Sequence, residues 1–137
     1  MAQVQRTTLT LRFHGDDLDP EELSNRLGAA PTHAVLKGAM LSSSGAQERT
    51  AKTGQWRLTM EADAPDDLET LVARLFDQLS PEQNTWTDIS GRYAGELFIG
   101  LFLGGSNEGV PISSRTLNAI AVRGLGVGLD IYAPTEA

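Results

Sequence analysis

The sequence predicts an α+β domain, a mostly antiparallel sheet with helices packed on one face. Three observations predict it. Residues 7–14 and 55–61 alternate apolar and polar side chains, the period of half-buried strands. Leu68, Leu71, Val72, Leu75, Phe76 and Leu79 repeat at helical spacing and form one buried stripe. The segment from 97 to 132 runs from an apolar strand through a Gly/Asn turn and a capped helix into a second alternating strand. The expected topology is a ferredoxin-like core with an added helix–strand unit, in a single domain over 1–137.

The elements follow in order. Leu9, Leu11 and Phe13 share one face of the first strand. Asp19 suits an N-cap, Pro20 the first helical position, and Glu22 the third position of a capping box. Leu18 and Leu23 form a hydrophobic staple, and Gly28 ends that helix. A second strand is expected over 33–39. Residues 38–54, rich in Ser, Gly, Gln and Thr, have the composition of a long polar loop. Trp56, Leu58 and Met60 line the inner face of the third strand. A helix is expected within 64–83. Trp86 and Ile89 are assigned to a turn or strand that Ser90-Gly91 breaks.

Residues 97–103 are apolar on both alternating faces, apart from Gly100, so this strand belongs inside a sheet. Ser113 is expected to cap the next helix, with Ile112 and Leu117 as its staple. Leu117, Ile120 and Ala121 form its predicted inner stripe, and Gly124 its stop. Val127, Leu129 and Ile131 then face one way, Asp130 and Tyr132 the other. Residues 133–137 are expected to fray.

Composition bounds function. The chain has 137 residues, 11 Lys and Arg against 18 Asp and Glu, and a net charge of −7. That charge disfavours nucleic acid and anionic membrane. The absence of cysteine excludes disulfides, thiolate metal sites and cysteine nucleophiles, and suits the cytoplasm. No apolar run approaches the roughly 20 residues that span a bilayer.

Candidate chemistry is thin. The His14, Asp16, Asp17, Asp19 cluster lacks the spacing of a calcium loop and is expected to be a solvated turn with a cap, so no metal is assigned. Ser42, Ser43 and Ser44 lie in a polar tract far from a preorganised nucleophile, so no catalytic residue is assigned either. The glycines at 124, 126 and 128 follow a helix and enter a strand, the reverse of a dinucleotide loop. No cofactor is expected. The aromatic residues lack interleaved basic ones and are expected in the core. Asp130, within a strand, needs a partner if its face is covered; Arg12, Arg57 and Arg92 are the candidates.

Three stretches carry a family resemblance: LDPEELSNRLGAAPT followed by Lys37-Gly38, the strand GQWRLTME, and NEGVPISSRTLNAIAVRGLGVGLDIY. In their order and spacing they resemble the bacterial family called domain of unknown function 4279. The resemblance implies one small α+β domain and carries no activity or catalytic residue with it. The leading functional expectation is a non-enzymatic protein-binding module, inhibitor- or immunity-like, covering a basic surface on a protein partner. The alternative is a small-molecule-binding domain or enzyme with a groove lined by Trp56, Asp130, Tyr132 and the Asn107-Glu108 turn. Homodimerisation through a sheet face or edge is the third reading.

Overall fold

A computed structural model describes residues 4–41 and 49–134. The elements are β1 (Val4–Gly15), α1 (Pro20–Leu27), β2 (His33–Val35), β3 (Met40–Leu41), β4 (Arg49–Thr50), β5 (Gly54–Asp63), α2 (Leu68–Asp77), α3 (Gln83–Arg92), β6 (Ala94–Leu103), α4 (Ser114–Ala121) and β7 (Gly126–Tyr132). Five strands form one sheet in the order β2-β5-β1-β6-β7, and β3 pairs with β4 in a separate ribbon. All pairings are antiparallel except β6–β7, the two strands joined through α4.

Register explains the layers. Phe13, Leu11 and Leu9 oppose Trp56, Leu58 and Met60 on one side, and Gly95, Leu97 and Ile99 on the other. This row faces the helices, and Leu9, Leu11, Phe13, Trp56, Leu97 and Ile99 are buried. The intervening residues, Thr8, Thr10, Arg12 and His14, lie on the open face. There β6 presents Phe98 and Phe102, which are half-buried although no helix covers them. Arg12 sits 4.4 Å over the Phe98 ring, and Tyr132 stacks on Phe102 at 4.4 Å with the rings nearly parallel. The strand that is apolar on both faces is therefore covered by helices on one side and by long side chains on the other.

Local signals set several boundaries. Asp19 caps α1, accepting hydrogen bonds from the Glu21 and Glu22 backbone N–H groups at 3.0 and 3.4 Å. The capping-box role expected of Glu22 is not taken up; its carboxylate accepts a hydrogen bond from Arg92 at 2.7 Å instead, joining α1 to α3. Leu18 and Leu23 are both buried, as a staple requires. Gly28 adopts the left-handed conformation that closes the helix.

Three expectations are corrected. Trp86 and Ile89 belong to a helix, α3, not to a turn or strand. Gly91 lies inside it. Its Thr, Asp, Ser and Gly residues are weak helix formers, so α3 depends on tertiary contacts. Trp86 and Ile89 are buried, and the Trp86 indole donates to the Ser80 carbonyl at 2.7 Å. The second strand ends at Val35, short of residue 39, and the expected loop at 38–54 contains the β3–β4 ribbon. Residues 42–48, with the serine tract Ser42–Ser44, lie outside the described residues. So do 135–137 of the expected frayed end. Finally, Ile120 is buried in α4, but Leu117 is 50% exposed and Ala121 is exposed. Leu117 is no staple partner because α4 packs against α2 and leaves that flank in solvent.

The α2–α4 junction is polar. The Glu69 carboxylate accepts hydrogen bonds from the Ser113 backbone N–H at 3.0 Å, the Ser113 hydroxyl at 2.5 Å and the Thr116 hydroxyl. Ser113 in turn caps α4, accepting from the Thr116 N–H. The Ser113 and Thr116 hydroxyls and the Ser113 N–H hold the Glu69 carboxyl below its ordinary value of 4.5. The folded state thus prefers the ionised form. Its stabilisation is full above the ordinary value and is lost as pH falls through the depressed one. Glu69→Gln is expected to lower the urea midpoint at neutral pH, with the gap from wild type closing as pH falls below 4.5. A gap that stays constant with pH would show that Glu69 acts only by packing.

Candidate functional site

The 104–112 connection between β6 and α4 shapes a concave surface on the molecule. It leaves two adjoining concavities of about 540 and 310 Å³ that share Leu101, Asn107, Glu108 and Val110 in their walls. The larger opens between β1, the start of α2 and the connection, and adds Val4, Thr7, Pro65 and Leu68. The smaller runs toward the edge strand and adds Leu103, Ile112, Leu129 and Ile131. The sequence forms this surface because Pro111 and the Ser113 cap fix where α4 begins, while 104–110 contributes no regular element.

Electrostatics at the larger concavity centre on carboxylates. Asp67 caps α2, accepting from the Thr70 N–H at 2.9 Å, and this bond holds its carboxyl below the usual carboxylate range. Asp66 pairs with Arg74 at 3.0 Å. Glu108 differs: its Oε1 is removed from solvent and has no hydrogen-bond partner among the described residues.

The five residues expected to line one groove do not meet. Trp56 is fully buried beneath α1, its indole N–H donating to the Ser24 hydroxyl at 2.9 Å. It is a core residue and lines none of the concavities. Its inward position follows from its pairing with Phe13, which places both rings on the helix side at a centroid distance of 6.1 Å. Asp130 and Tyr132 stand on the opposite, open face, where they pair in register with Gly100 and Phe102. Asn107 and Glu108 alone line a groove. None of the arginines named as partners of Asp130 reaches it. The Tyr132 hydroxyl donates to its carboxylate at 2.6 Å, which raises the phenol's pKa. Arg12 pairs with Glu96 at 2.5 Å, Arg57 donates to Gln55 at 2.7 Å, and Arg92 pairs with Glu22.

A third concavity, about 420 Å³, lies on the open face between Arg12, His14, Gln55, Arg57 and Glu96. Its most buried cation, Arg12, is already neutralised by Glu96. The acidic turn after β1 is likewise engaged: Asp16 pairs with Lys37 at 3.1 Å, and Asp19 caps α1.

The feature that sequence reasoning left open is the exposure of the inner row of β7. Alternation placed Val127, Leu129 and Ile131 together on one face of the strand. They do point to the helix side, in register with Leu97, Ile99 and Leu101, but are 43%, 52% and 57% exposed. No sequence signal distinguishes a covered row from an uncovered one, because the difference lies in where α4 packs.

A family model described as a domain of unknown function, DUF4279, matches residues 5–134. The chain belongs to DUF4279. The match spans every element of the DUF4279 fold described above, from β1 to the end of β7. No curated protein and no solved structure matches this DUF4279 chain. No described helix is long and apolar enough to cross a membrane.

Proposed function

We propose that the chain is a non-enzymatic protein-binding module that docks a partner along the outer edge of β7. One observation carries this reading: β7 is an edge strand whose inner row is aliphatic and uncovered. Edge strands present unpaired backbone groups, and soluble proteins usually blunt them with lysine, proline or a covering element. On β7 the helix-side row is Val127, Leu129 and Ile131, and the smaller concavity continues the apolar surface through Leu103 and Ile112. A strand added to that edge would satisfy the free backbone groups, with side chains seated on this row.

The net charge of −7 favours a basic partner surface, as for an inhibitor or immunity protein. The lack of cysteine is compatible with the reducing bacterial cytoplasm, where we place it. A preorganised hydrolytic pair has no support in the described residues: neither His14 nor His33 is hydrogen-bonded to a serine hydroxyl there, and both are exposed.

Site-specific photo-crosslinking in the host cell tests the reading. A photoreactive residue at Leu129 is expected to give one discrete adduct, absent when the probe sits at Glu61 on β5. Leu129→Lys with Ile131→Lys should abolish a wild-type complex while changing stability by less than about 1 kcal/mol, because both residues are already half in solvent. An adduct of twice the chain's mass would make the partner a second copy, two β7 edges pairing about a twofold axis. Equal, diffuse labelling from both probe positions would overturn the proposal.

A further inference from the structure

The outer row of β7 specifies the chemistry of a segment that adds to its edge. Val127, Leu129 and Ile131 alternate with Gly126, Gly128 and Asp130, which stand on the open face. At the two glycines the open side of the edge is bare backbone, where another chain can approach closely. The Glu96 carboxylate lies over Gly128: a Cβ at that position would sit 3.2 Å from Oε1 and 3.3 Å from Oε2. Arg12 donates through Nε and Nη2, both to Glu96 Oε1. Oε2 receives no donor among the described residues, and the Glu96 side chain is 36% exposed. Asp130 follows about 7 Å further along the same face. Its Oδ2 accepts from the Tyr132 hydroxyl, a neutral donor that leaves the charge uncompensated. The edge is therefore aliphatic on its helix side and negative on its open side.

We propose that the segment docking on β7 alternates aliphatic and basic residues. Its aliphatic side chains seat on Val127, Leu129 and Ile131, and a lysine or arginine stands opposite Gly128. Paired strands lie about 4.8 Å apart, so the stem of that side chain crosses the glycine and its charged head reaches Glu96 Oε2 and Asp130. The contact is a charge-assisted hydrogen bond, and the net charge of −7 steers a basic segment toward it. This inference rests on the edge-docking reading and names its partner's chemistry. A second copy of the chain fits less well. Antiparallel pairing of two β7 strands about Leu129 sets each Asp130 opposite the other copy's Gly128, beside Glu96, and like charges at facing positions are destabilising.

The test titrates the full chain with three capped peptides matched to the seven residues of β7, in which valine alternates with lysine, with threonine or with glutamate. Amide chemical shifts are followed by NMR. The lysine peptide is expected to move the resonances of Gly128, Leu129 and Asp130 together and to bind about tenfold more tightly than the threonine peptide, the increment of a hydrogen bond to a charged group. The glutamate peptide is expected to leave them unmoved. Asp130→Asn with Glu96→Gln should bring the lysine peptide's affinity down to that of the threonine peptide, while Glu61→Gln on β5 should change it less than about twofold. Lysine and threonine peptides binding equally well to the wild-type chain would overturn this proposal and leave edge docking standing, and that comparison requires no variant to fold. No shift at β7 with any peptide would overturn both. A dimer of the peptide-free chain that Leu129→Lys dissociates would put a second copy on the edge and overturn the proposal as well.

Discussion

Trp56→Ala is expected to destabilise the protein by about 3–5 kcal/mol, the range for removing a large aromatic side chain from a packed core. The side chain is wholly buried, faces Phe13 across the β1–β5 pair and lies under α1. Its loss leaves a void that β1 and β5 cannot close, because their ladder is continuous from Arg6–Asp63 to Gly15–Gly54. It also strands the Ser24 hydroxyl that the indole N–H engages. Urea denaturation should show a lower midpoint with an unchanged slope, the sign of lost stability without altered compactness. A loss under about 1 kcal/mol would mean that α1 settles into the vacated space and that Trp56 does not organise the core.

Gly124→Ala is expected to cost about 2–5 kcal/mol from two separable sources. Gly124 has φ of 72°, in the left-handed region that costs other residues about 1–2 kcal/mol. A Cβ there would also lie 2.5 Å from Ser90 Cβ on α3, and such overpacking costs about 1–3 kcal/mol. The end of α4 and the body of α3 meet at this point, so neither can give way without moving the other. Ser90→Gly placed with Gly124→Ala should recover the packing share and leave the conformational share. Additive effects of the two substitutions would show that the contact is relieved some other way.

These two positions show what was legible in the sequence. Asp19, Pro20, Gly28, Ser113 and Gly124 announce helix ends because caps act through backbone groups only a few residues away. The α+β class was legible for the same reason, since alternation in β1 and β5 and the stripe in α2 are properties of short windows. What was not legible depends on distant partners. The helix α3 is held by Trp86 and Ile89 in the core and by the Arg26–Asp88 and Arg92–Glu22 pairs to α1, and none of this leaves a periodic trace. Trp56 and Tyr132 both alternate in strands, yet one is core and the other surface, because helices cover only one side of the sheet. The alternation in β7 was legible and the exposure of its inner row was not, since α4 leans on α2 through Glu69 rather than across the last strand. Of the candidate site, only Asn107 and Glu108 were found, from the length and polarity of a turn between two strong elements. Thr7, Leu68 and Leu101, which share their groove, are indistinguishable in sequence from ordinary core residues.

The central place of β1 has a consequence for how the chain acquires its structure. β1 is first in sequence yet third in the sheet, flanked by β5 and β6. Arg12 meets Glu96 across a separation of 84 positions. Its inner row of leucines and Phe13 therefore has no second neighbour until β6 has been made. During synthesis the first strand can pair with β5 once residue 63 has emerged, but its other edge must wait for residues 94–103. Closing so long a loop is paid in entropy before any contact offsets it, which places the chain among slowly folding topologies. In the interval, the nascent chain has one unfinished edge at β1, and the finished protein retains another at β7.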